Sequence, residues 1–427
     1  MPKNVFVVGL DDFNRLQLQQ IRNADRYRFH SLVDYEEIRR PLRFPVGDVL
    51  RKAEGILDRF SGSVDAIVGY WDFPVSTMLP LLRQPRGLPG PTLESVLKCE
   101  HKYWSRIEQR EVAAGHVPRF CAVDPFGADP RAQIDLDYPF WLKPVKSASS
   151  HLGFKIRHAA DLGHAIDAIR ENIAQFAEPF NYILQQAECP PEIAEIDGYH
   201  CIAEEIISAG KQCTQEGYAY HGEVTVYGTV DSIREGKHRS PFSRYQYPSS
   251  LPRRVRERMD EITRRVLTHI GYDDAPFNIE YYWNTRSDAL WLLEINSRIS
   301  KSHAPLFHMV DGAYHHEIMV DLALGERPSF PHRQGEFRYA AKFMCRLYRD
   351  ARVTHVPDRK ELEEVQRAFP EALIEIHVQP GIRLSELRNQ DSYSYEVAVI
   401  FLGGNSRQEL RQKYRQCIEM LPLRFSQ

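Results

Sequence analysis

The segment WLLEINSRIS, residues 291–300, sets Glu294, Asn296 and Arg298 on alternate positions of an apolar run. Strand alternation sends those three to one face and Leu293, Ile295 and Ile299 to the other. A second apolar run, FNIEYYW, lies just upstream, separated from ALWLLEIN by Asn284 to Asp288. Setting Trp283 opposite Ala289 predicts a hairpin in which Asn278 faces Glu294 and Glu280 faces Leu292. One face then collects Asn278, Glu280, Tyr282, Leu292, Glu294 and Asn296. The other collects Phe277, Ile279, Tyr281, Trp291, Leu293 and Ile295, and its uniform apolarity makes it core. Two close carboxylates repel unless a cation or a proton sits between them. Magnesium takes one or two carboxylates, further oxygens and substrate phosphates. Glu280, Glu294 and the Asn296 amide oxygen supply such a set, with no soft ligand among them. Taken alone, the hairpin is as readily a wetted sheet face.

A metal site of this kind needs polyanionic ligands and basic residues elsewhere. In YPFWLKPVKSASSHLGF, residues 138–154, Lys143 ends a strand and Ser147, Ala148, Ser149 and Ser150 follow it. Small residues with free N–H groups and hydroxyls can fold over phosphates while a lysine contacts them from the strand end. A plain polar loop is the simpler reading of that segment by itself. In CIAEEIISAG, residues 201–210, acids lead into an apolar strand end and a turn, where a purine ring can pair with free backbone groups. An edge strand with a charged patch is its simpler reading. The basic loop REGKHRSPFSRYQYP carries Lys237, Arg239 and Arg244, read first as solvated groups. GYWDFP, residues 69–74, ends a strand, so Trp71 and Asp72 are candidates to line a second-substrate pocket, with a core tryptophan as the alternative. No GxxxxGK[ST] occurs, and VVGLDDF lacks the later glycines of a dinucleotide fingerprint.

These segments must be held by something. The 427 residues suffice for two to four domains. A formal net charge of -3 gives no reason to expect nucleic acid or an anionic membrane as partner. No run approaches a membrane span, and the N-terminus enters a strand without the features of a signal peptide. Seven scattered cysteines with no CxxC suggest neither a disulfide framework nor a thiolate zinc site, so a reduced, cytoplasmic protein is expected. Strand and helix alternate through about residue 95, as in a parallel layer, and a Pro/Gly-rich stretch at 83–95 closes it. One helical run is expected from Leu97 to Gly115. FNYILQQAE is read as a strand, GKQCTQEGYAYHG as a connector between strands, and PRRVRERMDEITRRVLTHIG as a long amphipathic helix stopped at Gly271. Further strands and a closing helix follow from about Gly335.

Together the segments resemble the ATP-grasp superfamily of ADP-forming carboxylate ligases, most specifically in FNIEYYWNTRSDALWLLEINSRIS. The resemblance implies an α/β and α+β architecture like that of biotin carboxylase or D-alanine–D-alanine ligase. It comprises a Rossmann-like N-terminal domain at 1–95 and a two-lobed ATP-grasp core at 96–333 with mixed or antiparallel sheets. The core's lobes divide near 185, and a small α+β lobe follows at 334–427. The resemblance implies that Glu280, Glu294 and Asn296 bind magnesium, with manganese as its substitute. It gives Arg298 the substrate carboxylate or its acyl phosphate. Lys143 and Lys102, with Lys98 as the lesser alternative, match phosphate-contacting lysines, and Ser149 and Ser150 match the mobile loop. Glu205 with Ile206 and Ile207 matches the adenine hinge. Gln212 stands where many members place a ribose-binding acid, and Ser302 where the carboxylase branch places an acid. The implied reaction activates a carboxylate with ATP and couples it to an amine. Its partners are a small carboxylate and a small amine, and a homodimer is the one assembly considered. The alternatives are a bicarbonate-using carboxylase and a non-enzymatic ATP-binding module.

Overall fold

The computed structural model describes residues 2–39, 44–147, 152–235, 242–387, 390 and 394–426. Three strands open the chain: β1 (Lys3–Leu10), β2 (Tyr27–Asp34) and β3 (Ala66–Val68). They run parallel in the order β2-β1-β3. Val5, Phe6, Val7 and Val8 are all buried, because a parallel sheet is covered on both faces. The helix Val46–Arg59 supplies part of that cover through Val49, Leu50, Ala53 and Leu57.

A second sheet contains β4 (Phe120–Val123), β5 (Phe140–Pro144), β6 (Phe154–Ile156) and β7 (Cys201–Glu205). It is antiparallel in the order β4-β7-β5-β6. FNYILQQAE is not the strand expected of it. Its apolar part lies in the helix Ala174–Leu184, where Ala177, Phe180 and Ile183 recur every third residue and are buried. The helical run expected from Leu97 to Gly115 is two helices, Leu93–Glu100 and Lys102–Ala113. They break at His101, whose Nδ1 accepts from the Trp104 amide at 3.3 Å and whose Nε2 meets the Ile196 carbonyl at 2.7 Å. Burial pushes this imidazole down to about 4, so it serves as a neutral cap.

The remaining strands are β8 (Lys211–Tyr220), β9 (Glu223–Ile233), β10 (Arg244–Tyr247), β11 (Ala275–Trp283), β12 (Leu290–Asn296), β13 (Tyr339–Leu347), β14 (Arg352–His355), β15 (Leu373–Ile376), β16 (Tyr395–Gly404) and β17 (Arg424–Ser426). Eight of them form one sheet, in the order β12-β11-β8-β9-β10-β13-β16-β15, and β14 pairs with β17. The segment expected as a connector, GKQCTQEGYAYHG, is therefore a central strand. The polar residues at 212 and 214–216 are buried, and Gln215 Oε1, for one, accepts from Thr263 Oγ1 at 2.7 Å. The helix Arg253–Ile270 packs Met259, Ile262, Val266 and Leu267 on one face of the sheet, against Phe277, Ile279, Tyr281 and Leu292. The opposite face carries the acids. Among the described residues no helix is long and apolar enough to cross a membrane.

The two sheets are joined by residues 206–210. Gly210 has φ +112°, and a Cβ there would lie 2.2 Å from the Trp283 carbonyl oxygen. The linker thus presses on the tip of the β11–β12 hairpin. Gly210→Ala is expected to destabilise the protein by about 2 kcal/mol or more, from backbone strain and displaced contact together. Urea unfolding reads this directly; an unchanged midpoint contradicts the close docking.

Candidate functional site

The hairpin pairs Asn278 with Asn296, Ile279 with Ile295 and Glu280 with Glu294. The ladder then slips, bringing Tyr281 opposite Leu292, Tyr282 opposite Trp291 and Trp283 opposite Leu290. This corrects the expected register. Glu280 faces Glu294 rather than Leu292, and Asn278 faces Asn296 rather than Glu294. Leu292 turns to the core with Tyr281, and Leu293 sits at the bulge. The reason lies outside the hairpin. Arg106, on the helix Lys102–Ala113, donates from Nη1 to the Leu292 carbonyl at 3.2 Å and from Nη2 to the Leu293 carbonyl at 2.8 Å. A bulge leaves ladder groups unpaired, and here a guanidinium satisfies them.

Opposed residues on one sheet face have Cβ atoms roughly 5 Å apart, so two like charges in that position destabilise each other. Burial, then the neighbouring Glu294, push the Glu280 carboxyl up to about 7. Gln212 Nε2 donates to Glu280 Oε2 at 2.7 Å, and Arg234 donates to Gln212 Oε1. Burial opposes ionisation of Glu294, yet Lys102, Lys143 and Lys146 outweigh it and hold that carboxyl below the usual range. Lys102 Nζ stands 3.5 Å from Glu294 Oε1 and donates to the Ser147 carbonyl at 3.1 Å. Burial lowers this ammonium to about 8. Its backbone N–H bonds the Val145 carbonyl at 3.0 Å, which ties the start of its helix to the end of β5.

Asn296 is oriented through a chain of amides. Glu216, fully buried in β8, accepts from Asn278 Nδ2 at 2.6 Å. That fixes Asn278 Oδ1 toward Asn296, whose Nδ2 donates to it at 3.1 Å. A carboxylate accepts only, so the polarity of both amides is set, and Asn296 Oδ1 is left without a hydrogen bond among the described residues. Glu216 also meets His303 Nδ1 at 2.7 Å and accepts from the Ser300 amide at 3.4 Å. It therefore anchors the 297–303 loop that carries Arg298. Arg298 donates from Nε to Asp72 Oδ1 at 2.7 Å.

Lys143 lies at the end of β5 and ion-pairs with buried Glu204 at 2.6 Å. Arg106 Nε donates to the other oxygen of Glu204 at 2.7 Å. Burial alone would raise the Glu204 carboxyl, but the two cations bring it down to about 2. Lys146 ion-pairs with Glu100. Lys102, Lys143, Arg106 and Glu294 line one small cleft. Sequence reasoning missed Arg106, Glu204, Lys146 and Glu216, since each is defined by a partner nearly 50 or more positions away. Glu204 was visible only as the neighbour of Glu205. Lys98 points elsewhere, 3.6 Å from Glu108. Glu205 ends β7 and accepts from the Arg119 amide at 3.1 Å. Ile206 and Ile207 begin the linker to β8. Arg244 is buried and pairs with Glu235 at 2.6 Å. Ser302 Oγ accepts from Lys342 Nζ at 3.1 Å. Ser149, Ser150, Lys237 and Arg239 lie outside the described residues.

Two opposed carboxylates and one free amide oxygen form a hard-oxygen donor set that leaves coordination positions for phosphate and water, as magnesium prefers. Among the described residues no group of three or more His, Cys, Asp or Glu side chains is placed to hold a metal, and the candidate set here is two carboxylates with one amide oxygen.

Residues 136–304 match the model of the ATP-grasp domain family. The chain's fold is shared with several solved ligase and carboxylase structures. It is similar to the L-amino acid ligase from Bacillus licheniformis, with a TM-score of 0.70, 15% identity, and coverage of 100% of this chain and 99% of that one. It is similar to phosphoribosylglycinamide synthetase from Anaerococcus prevotii, with a TM-score of 0.63, 13% identity, and coverage of 100% of both chains. The biotin carboxylase domain of the Hydrogenobacter thermophilus 2-oxoglutarate carboxylase, solved with MgADP, ADP and bicarbonate, has a TM-score of 0.65 and 14% identity. That match covers 100% of this chain and 92% of that one. No curated protein matches the chain by sequence.

Glu216→Ala leaves the Asn278 amide and His303 without their acceptor in a buried site. Each orphaned group costs about 1–3 kcal/mol, so a loss of about 3 kcal/mol is expected. Glu216→Gln, which keeps an acceptor oxygen, should lose less than half of that. Urea unfolding of the two variants checks the order; equal stability of Glu216→Ala and the parent contradicts the hub.

Proposed function

We propose that the chain is an ATP-dependent ligase that activates a carboxylate as an acyl phosphate and couples it to an amine, releasing ADP and phosphate. The observation that carries this reading is the direct opposition of Glu280 and Glu294 beside a free Asn296 oxygen, with three lysines close by. Mere nucleotide binding does not need two acids, an amide and an arginine converging in this way.

In this reading Glu280, Glu294 and Asn296 hold one or two magnesium ions, which neutralise charge on the transferring phosphates. Lys102 and Lys143 contact the phosphates from the helix start and the strand end, as point charges. The resemblance also assigns Ser149 and Ser150, which lie outside the described residues, to the phosphates. Glu205 and the backbone of Ile206 and Ile207 receive the adenine. Gln212 is assigned near the ribose, although its amide donates to Glu280. Arg298 holds the reacting carboxylate in its planar fork, so that one oxygen is presented to the γ-phosphate. Charge develops on oxygens in both half-reactions, and these fixed cations stabilise it without reorganising. No covalent enzyme intermediate is needed.

The decisive experiment is ADP release screened over small carboxylates paired with amines. Release that depends on both establishes the ligase. Release dependent on bicarbonate alone establishes a carboxylase instead, and none at all establishes a binding module. Glu294→Ala should lower turnover at least about a thousandfold in a protein that still folds, as expected for loss of a transition-state metal contact. Parent-like activity in that variant removes the site assignment.

The raised Glu280 carboxyl gives a second test. Its folded value, about 7, exceeds the ordinary 4.5, so its proton stabilises the metal-free protein below about pH 4.5. That contribution is lost as pH rises through about 7. A metal must displace the same proton, so affinity should rise about tenfold from pH 6 to pH 8. Mn2+ binding to nucleotide-free protein, followed by electron paramagnetic resonance, measures it. Glu280→Gln should flatten the dependence; a steep slope retained in that variant rules out this carboxyl as the titrating ligand.

A further inference from the structure

Arg298, the group assigned to the reacting carboxylate, already holds one. Its Nε and Nη2 both reach Asp72 Oδ1, at 2.7 and 2.6 Å. The Asp72 side chain is 49% exposed and the Arg298 side chain 14%. Asp72 hangs from the loop after β3, beyond the carboxyl end of the parallel sheet, where such sheets present ligand contacts. The loop itself is pinned. Trp71 Nε1 donates to the Gly9 carbonyl at 2.7 Å, and its ring stacks on Tyr35 and receives Lys301 Nζ at 3.5 Å. The Asp72 carbonyl accepts from the Val75 amide at 3.0 Å. The backbone is thus held on both sides of a side chain that remains half open.

We propose that Asp72 and Arg298 form a clamp for a zwitterion, so that the activated substrate is an α-amino acid; this rests on the ligase reading above. A carboxylate entering alone must displace Asp72 from the guanidinium. Two carboxylates then contend for one cation, and the displaced acid is left unpaired. An α-amino acid brings its own cation. Its carboxylate takes the Arg298 fork, its ammonium takes Asp72, and both protein charges stay satisfied. The other acids near Arg298 are not free for this role. Glu216 is engaged by Asn278 and His303, and Glu100 by Lys146 and Ser297. An ammonium held by Asp72 keeps its proton and is not nucleophilic. The amine that attacks the acyl phosphate therefore comes from the second substrate, and the product retains the donor's α-amino group.

Matched pairs test the clamp: alanine against propanoate, and valine against isovalerate, each as the carboxylate in ADP release. The parent should favour the amino acid by at least about tenfold in kcat/KM, the factor expected for one charge contact. Asp72→Asn removes the charge at nearly constant volume. It should raise KM for the amino acid by about tenfold, leave KM for the plain carboxylate equal or lower, and leave KM for ATP unchanged. Equal use of both members by the parent, or an undiminished ratio in Asp72→Asn, overturns the proposal. If no carboxylate supports ADP release, the ligase reading fails, and calorimetry with a non-hydrolysable ATP analogue decides the clamp separately. Amino-acid binding that is lost in Asp72→Asn supports the clamp. Equal binding of both members, or none of either, overturns it.

Discussion

Two acids placed directly opposite each other on one face of a β-ladder are an unfavourable pair, and the site is built around that pair. The opposition of Glu280 and Glu294 is imposed by the slip in β12 at Leu293. Without the slip, Glu280 would face an apolar residue and the two carboxyls would stand further apart. Arg106 underwrites the slip by taking the Leu292 and Leu293 carbonyls, and the same guanidinium binds Glu204. Glu204 in turn holds Lys143. One buried arginine thereby couples the spacing of the acids to the position of a lysine on another sheet. The repulsion is then divided unequally: Glu280 keeps its proton near neutrality, while the lysines keep Glu294 charged. A divalent cation relieves both conditions at once.

The cations are positioned by backbone breaks rather than by regular elements. Lys102 is the first residue of its helix because His101 interrupts the helical run, and the bond from its N–H to Val145 brings it beside β5. A continuous helix would rotate Lys102 by about 100° relative to the residue before it and carry it along a single axis. The break lets one helix pack in the N-terminal core and the next point its start at the acids. Burial of the resulting lysine cluster is costly, which is why each member has an acid partner: Glu294, Glu204 and Glu100.

Much of this was legible in the residues themselves. The alternation in FNIEYYW and ALWLLEIN identified the hairpin and its acidic face, and the strand–helix alternation identified the parallel layer. The pairing of the hairpin was not legible, because the bulge depends on Arg106, more than 180 positions away. FNYILQQAE misled because it opens on two aromatic residues and an isoleucine close together, while its period of three emerges only with Ala177 included. GKQCTQEGYAYHG misled in the opposite way. Its glutamines, glutamate and glycines look like a loop until the buried side chains find their partners, as Gln215 does with Thr263 and Glu216 with Asn278 and His303. A buried polar network is invisible to hydrophobic pattern, since its energetic sense lies entirely in the pairing.

The N-terminal layer is joined to this site by charge, and that constrains what the site can accept. Asp72 comes from the loop after β3 and Arg298 from the loop after β12, more than 200 positions apart. Each loop is fixed independently, one through Trp71 to Gly9 and the other through His303 and Ser300 to Glu216. The ion pair between them is therefore not needed to hold either loop in place. Its partial exposure keeps its contribution to stability small, because water screens a half-open pair. A weak contact between two rigid supports costs little to open, and a ligand that restores both charges needs to supply only the difference. Rigid walls with an exchangeable pair between them favour selectivity over storage of binding energy, and the chemistry of the entering group decides whether the exchange is favourable.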